Sequence, residues 1–578
     1  MPTQLPQQTH PVDFCVVGGG LAGMCAALAA ARHGAKVALM HDRPVLGGNA
    51  SSEIRMWVCG AQGENNRETG IIDEIHCENL YRNPTQNYSL WDSILYEKAR
   101  FEPNLTLLLN CSCNRLDMDG DRIKSVTGWQ TTTETWHTVE ANVFADCSGD
   151  SILAPLSGAE FRIGREAAAE FNEDIEPAEA DRKTMGMSCL IQSRETSKPQ
   201  PFTAPSWANK YLSCADLPHR GHDLGTNFWW IELGGEDDSI HDTERLRDEL
   251  LKVAFGVWDH LKNHCPKTPA ENWVLDWVGC LPGKRESRRY VGDHVLTQND
   301  IRAEGRFDDL VAYGGWSMDD HHPGGMRYPG PPTIFHPAPS PYGIPYRCLY
   351  SRNVENLLFA GRNLSATHAA MSSTRVMATC ALLGQAVGTA ASIAVANGLT
   401  PRGVYQTRTG ELKQTLMEDD CYLPWNRREL SELSKEAKLT TSTGDPEPLR
   451  NGLDRPIGGA DNGWRGPLGS WVQYAFPAKR KVSQLRFVFE GNLSPRVRDT
   501  RCNYPLDPPP FAVPAPMIRA FRVEATEGSG VWQVVAREEN NYQRLVRLAV
   551  DLETAAVRFV PEATWGADGA HVFAWDVR

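Results

Sequence analysis

Three stretches of this chain gather side chains able to move protons or hold charge. In residues 313–325, YGGWSMDDHHPGG, two acids (Asp319, Asp320) and two imidazoles (His321, His322) crowd between glycines. Histidine titrates nearest neutral pH and is the natural general base. One reading is a polar substrate loop with His321 or His322 as base; the other is a solvated loop. Asp-His adjacency also suits metals, but two neighbouring histidines rarely ligate one ion without a third ligand placed by the fold. The second stretch, SATHAAMSSTR (365–375), carries His368, either a base or the cap of a helix start. The third, LPGKRESRRYVGDHVLT (281–297), clusters Lys284, Arg285, Arg288 and Arg289. Such a cluster could hold an anion, but Glu286 and Asp293 among the cations favour an internal ion-pair network. In SPYGIPYRCL (340–349), Tyr342 and Arg347 are candidates for a pocket wall, and Arg347 joins the histidines as a candidate catalytic group.

The element that must position these groups starts near the amino terminus. Phe14-Cys15-Val16-Val17 reads as a buried parallel strand, Gly18-x-Gly20-x-x-Gly23 as a tight turn, and Met24 onward as an alanine-rich helix. Gly18 permits the turn, Gly20 lets the backbone approach a pyrophosphate, and Gly23 lets helix and strand touch. The helix's unpaired amides and positive dipole end then face the phosphate. A second strand near residues 36–40 follows at βαβ spacing, so the unit reads as a dinucleotide site. Where an acidic residue normally binds the adenosine ribose stands His41, with Asp42 next. Either His41 reaches a ribose hydroxyl, or Asp42 does after a small shift, or His41 only caps the strand.

After the second strand, Arg43-Pro-Val-Leu-Gly47-Gly48-Asn49 closes the unit with a glycine pair. This resembles the FAD-binding superfamily that includes fumarate reductases and glutathione-reductase-like flavoproteins. More narrowly, RPVLGGNASSEIRMWVCGA (43–61) resembles the bacterial FAD-dependent oxidoreductases. VFADCSGDSILAPLSGA (143–159) is similar to that group's second flavin motif, and NLLFAGRNLSATHAAMSSTRVMATCALLGQAVGTAA (356–391) to its third. The resemblance implies FAD as cofactor, with a strand ending at Asp146, Gly149 and Asp150 near the pyrophosphate, and Gly361-Arg362-Asn363 ending another strand. It further implies that the helix carrying Gly384, Gln385 and Gly388 points its start at the flavin. His368, seven positions after Gly361, matches a histidine that reaches substrate above the flavin. The matching arginine would fall near Ser372, whereas the nearest here is Arg375. Cys59 stands alone where disulfide reductases carry a redox pair, and no second GxGxxG offers an NAD(P)H site.

The expected activity is therefore oxidation of a polar hydroxylated small molecule by hydride transfer to flavin N5, with a base taking the hydroxyl proton. A tryptophan-rich central region suited to stacking on sugar faces makes carbohydrate the preferred substrate class, with an unnamed electron acceptor. Reduction of an unsaturated acid, and a flavin- and glycan-binding protein without turnover, are the alternatives.

Composition bounds the rest. A formal net charge of −13 argues against nucleic acid and anionic membranes as partners. No apolar stretch suggests the ~20 residues that span a bilayer. The opening MPTQLPQQTHP lacks the pattern of a secretory signal. Fifteen cysteines without disulfide or metal-ligand spacing suggest buried thiols in a reducing cytosol, with no structural zinc expected. The predicted fold is α/β: a Rossmann-like FAD-binding domain with a β-arm (1–158 and 347–403), interrupted by an α+β substrate domain (159–346). A helical connector (404–440) leads to an all-β sandwich (441–578). Short alternating segments, with NGLDRP and the closing WGADGAHVFAWDVR, give this last part a resemblance to discoidin-type jelly rolls that often bind carbohydrate. A packing or homo-oligomerisation role is the alternative.

Overall fold

A parallel five-stranded sheet underlies the glycine turn. In the computed structural model, which describes residues 5–494, 499–528 and 530–578, its strand order is Leu357–Phe359, Val143–Asp146, Phe14–Val17, Val37–Met40 and Leu105–Leu108. Residues 1–4 of the amino-terminal stretch lie outside the described residues. The central strands are buried along their whole length, as a parallel sheet covered on both faces requires. Leu105–Leu108 forms the sheet's edge beside Val37–Met40. The arm is a separate four-stranded sheet of Gln7–Pro11, Thr135–Glu140, Arg122–Gln130 and Cys111–Asp119. Cys111 and Cys113 point inward from one face of that last strand, and burial pushes both thiols up to about 12.

Two helices fix the sheet's covering layer. Leu21–Arg32 follows the glycine turn, and Met377–Asn397 packs across it. The approach is set by small residues: a Cβ on Gly384 would stand 1.9 Å from the Ala22 carbonyl oxygen, and one on Gly388 2.0 Å from that of Ala26. Met377–Asn397 is also long and apolar enough to cross a membrane by length and composition, which the sequence reading did not register. Its most apolar window is 94% buried, as in the core helix of a globular unit.

The chain divides into two compact units. The described residues of Met1–Ala61, Gln86–Leu412 and Arg498–Pro510 form the first; those of Gln62–Thr85, Lys413–Val497 and Phe511–Arg578 form the second. The first contains the parallel sheet, the arm and a central region of short sheets around the helix Thr243–Asp259. It also takes in the described part of 498–510, where Asn503 accepts from the Ser193 amide at 2.7 Å and donates to the Leu224 and Thr226 carbonyls.

In the second unit, strands Val472–Phe489 and Leu545–Thr564 each merge two segments that the sequence pattern separates. Bulges between Ala475 and Arg480 and between Val482 and Gln484 shift the alternation without ending the strand. The first halves and second halves of these long strands take different neighbours, so they run through both layers of an all-β sandwich. Phe487, Phe489, Phe521, Phe559 and Trp575 fill its core. Residues 62–85 belong here as well. Their helix Ile71–Arg82 stacks Tyr81 on Tyr542 with ring centroids 4.1 Å apart and buries Cys77 in the same core.

Candidate active site

The glycine turn is built as an anion cradle. The N-cap of Leu21–Arg32 is Gly20, which offers no side chain to bond the first-turn amides. Gly18, at φ 104°, leaves no room for a Cβ, which would sit 2.4 Å from the Cys147 carbonyl, and Gly23 packs against the Gly18 carbonyl. Around Gly20, its chain neighbours aside, the only atom of the described residues within 4 Å of an added Cβ is the Gly48 Cα, so two glycine backbones face one another over open space. The Gly47 amide donates to Gly19 at 2.9 Å and ties the second glycine pair to the first. Nearby, Arg43 Nη1 and Glu53 Oε2 face one another as an ion pair at 3.7 Å, beyond hydrogen-bond reach, and Arg362 Nε is buried without a hydrogen bond. An uncapped helix start, a bare backbone cleft and a buried guanidinium N–H left over fit the phosphates and sugars of a dinucleotide.

Several predicted cofactor residues serve the cradle indirectly. His41 is buried, its Nδ1 accepting the Gly19 amide at 3.0 Å and its Nε2 donating to the Val45 carbonyl at 3.0 Å. The ring therefore braces the two glycine turns and has no nitrogen left for a ribose. Asp42, whose side chain is 59% exposed, is the acid at that strand end, its Oδ1 3.2 Å from His41 Nδ1 and 3.8 Å from Arg43 Nε. Asp146 likewise spends its carboxylate internally, accepting the Ser148 amide and hydroxyl, the Leu153 amide and the Tyr290 hydroxyl. Gly384 is a helix-packing residue, as described above, and Gln385 is buried in the same helix. Gly149, at φ 81°, lets the Arg362 guanidinium lie against it, and Arg362 and Lys284 both pair with Asp150, at 2.7 and 2.6 Å. Their charges outweigh the burial that would raise the Asp150 pKa, and lower it. Gly361, at φ 120°, lies close to Ala22.

From the cradle the chain leads to a buried charged cluster. Asn49 donates to the Lys284 carbonyl at 3.0 Å, and Arg285, next in sequence, lies 3.4 Å from Glu232. The cationic run is thus an internal ion-pair network, with partners both near and far along the chain: Arg289 binds Glu286, three residues away, and the distant Glu166, while Arg288 reaches the Asp150 carbonyl. On the other side, the Cys59 carbonyl accepts from Ala378 at the start of the packing helix.

Within the cluster, His368 sits fully buried between Glu286, 2.9 Å from its Nδ1, and Asp320, 3.2 Å from its Nε2. Burial would lower its pKa, but the charge of Glu286 and the bonds to Asp320 and Glu286 outweigh it and raise it well above 6.5. Carboxylates on both ring nitrogens favour the protonated form of His368 and leave neither nitrogen free to take a substrate proton. His321 also faces two carboxylates, Glu232 at 2.6 Å and Asp319 at 3.4 Å. Asp319 in turn accepts from Arg375 at 3.2 Å. His322 stacks on Tyr328 with ring centroids 3.5 Å apart, and its Nδ1 accepts the Gly324 amide. Burial lowers its pKa, so it is neutral, but its acceptor nitrogen is occupied. Arg347 lies outside the cluster, held at two points by Asp309 at 3.0 and 3.1 Å and placed over the Tyr405 ring. Tyr342 is buried with its hydroxyl 2.6 Å from Ser373.

Asp320 retains solvent access, its side chain 21% exposed against 12% for Arg375 and 10% for Asp319. Burial raises its pKa and the His368 hydrogen bond and charge lower it, with a net fall, so it is ionised. The sequence reading missed Glu232 altogether and saw Glu286 only as a neighbour of arginines. Neither has a local motif, because each meets its histidine only through the fold. A second cluster lies apart from this one: Cys214, His222, His260 and Cys265 place their ligand atoms within 4.8 Å of one another. No structural metal was expected, since these residues share no short-range spacing that announces a site.

The profile of the family described as FAD dependent oxidoreductase matches residues 13–416. No curated protein matches the chain. Among solved structures, the family 32 carbohydrate-binding module from C. perfringens NanJ in complex with galactose shares 11% identity and a TM-score of 0.19. The match covers 25% of this chain and 95% of that one. The family 32 module of Streptococcus pneumoniae EndoD gives 14% identity and a TM-score of 0.19, covering 25% and 97%. The chitosan-binding module 1 of a chitosanase/glucanase from Paenibacillus sp. IK-5 gives 12% and 0.18, covering 25% and 95%.

Proposed function

The chain belongs to the FAD dependent oxidoreductase family, and from that premise we propose that it oxidises a neutral polyhydroxylated small molecule, a carbohydrate or close derivative. Bound FAD supplies the hydride acceptor. Gly18, Gly20, Gly23, Gly47, Gly48, Arg43, Asp42 and Arg362 would hold it, through uncapped amides, bare backbone and buried donors. The substrate hydroxyl hydrogen-bonds Asp320, which takes the proton as the C–H bond breaks. His368 and Glu286, lined up behind Asp320, keep that carboxylate oriented and act as positioning residues.

The observation that carries this reading is the accessible end of the cluster, which is a carboxylate. An unsaturated acid would need an uncommitted cation to hold its carboxylate. Arg375, Arg289 and Arg285 instead bind Asp319, Glu286 with Glu166, and the Ser188 hydroxyl with the Trp229 carbonyl beside Glu232. A further anion beside Asp320 would be repelled. Trp229, whose ring centroid is 5.2 Å from that of His321, offers an apolar face beside the polar groups.

The test is an anaerobic titration of the yellow protein, following flavin absorbance, with neutral sugars, sugar acids and unsaturated acids. Bleaching by a neutral sugar is the expected result. Protein that no sugar bleaches, but whose dithionite-reduced flavin is reoxidised by an unsaturated acid, would replace this reading with a reductase.

A further inference from the structure

We propose that Cys214, His222, His260 and Cys265 form a closed four-ligand zinc site that pins the central region of the first unit. Cys214 Sγ stands 3.8 Å from Cys265 Sγ and 3.6 Å from His222 Nδ1. His260 Nε2 is 3.4 Å from His222 Nδ1, and His222 Nδ1 is 3.1 Å from Cys265 Sγ. Four ligands around zinc, with Zn–S near 2.3 Å and Zn–N near 2.0–2.1 Å, sit at the corners of a tetrahedron. Its edges are then about 3.8 Å between sulfurs, about 3.6 Å from sulfur to nitrogen and about 3.4 Å between nitrogens. Three of the four separations fall on those values, and the fourth is shorter. Two thiolates and two imidazoles suit zinc over magnesium or calcium, which prefer oxygen.

The surroundings prepare the ligands. His260 donates its Nδ1 proton to the Tyr211 carbonyl at 2.9 Å, which leaves the lone pair of Nε2 aimed at the other three ligands. Thr268 donates to the His222 carbonyl at 2.6 Å, and its hydroxyl lies 3.4 Å from Cys265 Sγ. The helix Thr243–Asp259 ends in a π-helical turn, His260–His264, with Cys265 next. A π turn closes i to i+5, so it brings residues 260 and 265 to the same side, where an α-helical turn would not.

The site also answers a need of the fold. Between the strands Ile191–Glu195 and Glu232–Leu233 the only regular element among the described residues is the three-residue turn Cys214–Asp216. So long an irregular run inside a compact unit calls for a staple. Its end carries Trp229, whose carbonyl binds Arg285, and leads into Glu232, which binds His321. A metal at residue 214 and 222 would therefore hold in place the strand that supports the acidic cluster.

The experiment is metal analysis of the full-length, FAD-loaded protein expressed with zinc and purified without chelator. About one zinc per chain is expected. It should fall to background in Cys214→Ser and Cys265→Ser and stay stoichiometric in Cys280→Ser, which alters an exposed thiol outside the cluster. Should the first two variants fail to fold, wild-type protein produced with cobalt decides. Intense tetrahedral bands with sulfur charge transfer support the site. Background zinc in wild-type protein, a six-coordinate cobalt spectrum, or a Cys214–Cys265 disulfide in peptide mapping overturns it. Metal content is read independently of flavin reduction, so this result and the substrate reading can fail separately.

Discussion

Alanine at Gly384 tests whether helix packing, not direct contact with the cofactor, explains that glycine. Gly→Ala inside an exposed helix gains about 1 kcal/mol from backbone propensity. Here the new Cβ would stand 1.9 Å from the Ala22 carbonyl oxygen, where contacts below 3.0 Å essentially never occur. The obstacle is backbone, so no side-chain rotation relieves it, and the two helices must part by about 1 Å. Overpacking of this kind costs about 1–3 kcal/mol, so set against the propensity gain the net expectation is a loss of up to about 2 kcal/mol. Ala22 lies in the first turn of the helix whose amides form the anion cradle, so the shift should also weaken FAD retention. Gly410 supplies the matched control, for it lies in the helix Pro401–Glu418 with nothing within 4 Å of an added Cβ. Gly410→Ala should then stabilise by up to about 1 kcal/mol with FAD unchanged. The assay is thermal unfolding by circular dichroism together with the FAD-to-protein ratio after desalting. A Gly384→Ala protein as stable and as yellow as Gly410→Ala would refute the packing argument.

Three more outcomes follow from the acidic cluster. Asp320→Asn should keep FAD yet slow flavin reduction by substrate by about 10²–10⁴-fold, the range for loss of a general base, and an unchanged stopped-flow rate would remove Asp320 from the chemistry. His368 has a raised folded pKa, so its contribution to stability is fully present below its ordinary value of 6.5 and is lost as pH rises through the folded value. The melting temperature of wild-type protein should fall on the alkaline side, and the profile should flatten in His368→Gln; parallel profiles would contradict the buried ion pair. Glu176, which accepts the Ala369 amide, has its pKa raised to about 7, chiefly by burial, and the Glu166 charge adds to the rise against His368. Its ionisation therefore destabilises the fold as pH rises from 4.5 through 7. Glu176→Gln should match wild type near pH 4.5 and exceed it above pH 7 by up to about 3 kcal/mol, measured by denaturant melts at both pH values.

What the sequence made legible is what depends on neighbours along the chain. The glycine turn could be read because Gly18, Gly20 and Gly23 fall within six residues whose backbone geometry is fixed locally; the structure gives Gly18 and Gly23 the close approaches expected of them and leaves the backbone at Gly20 bare. His41 stood at the right position for a ribose ligand, but proximity along the strand does not say which way the ring hydrogen-bonds. Only the fold shows that Gly19 and Val45 consume both nitrogens. The same limit governs the cluster. Asp319, Asp320, His321 and His368 were visible as titratable types, but Glu232 and Glu286, which bond the two histidines, arrive from distant strands and loops. A histidine alone in a loop reads as a base. With Glu286 on one ring nitrogen and Asp320 on the other, its protonated form is favoured, and on the proposed reading the proton-accepting role passes to Asp320, the carboxylate that still meets solvent. The assignment of chemistry therefore turns on burial and pairing at Asp320 and His368. The variants at these two positions should part accordingly: Asp320→Asn acts on the rate of flavin reduction, and His368→Gln acts on the pH dependence of stability.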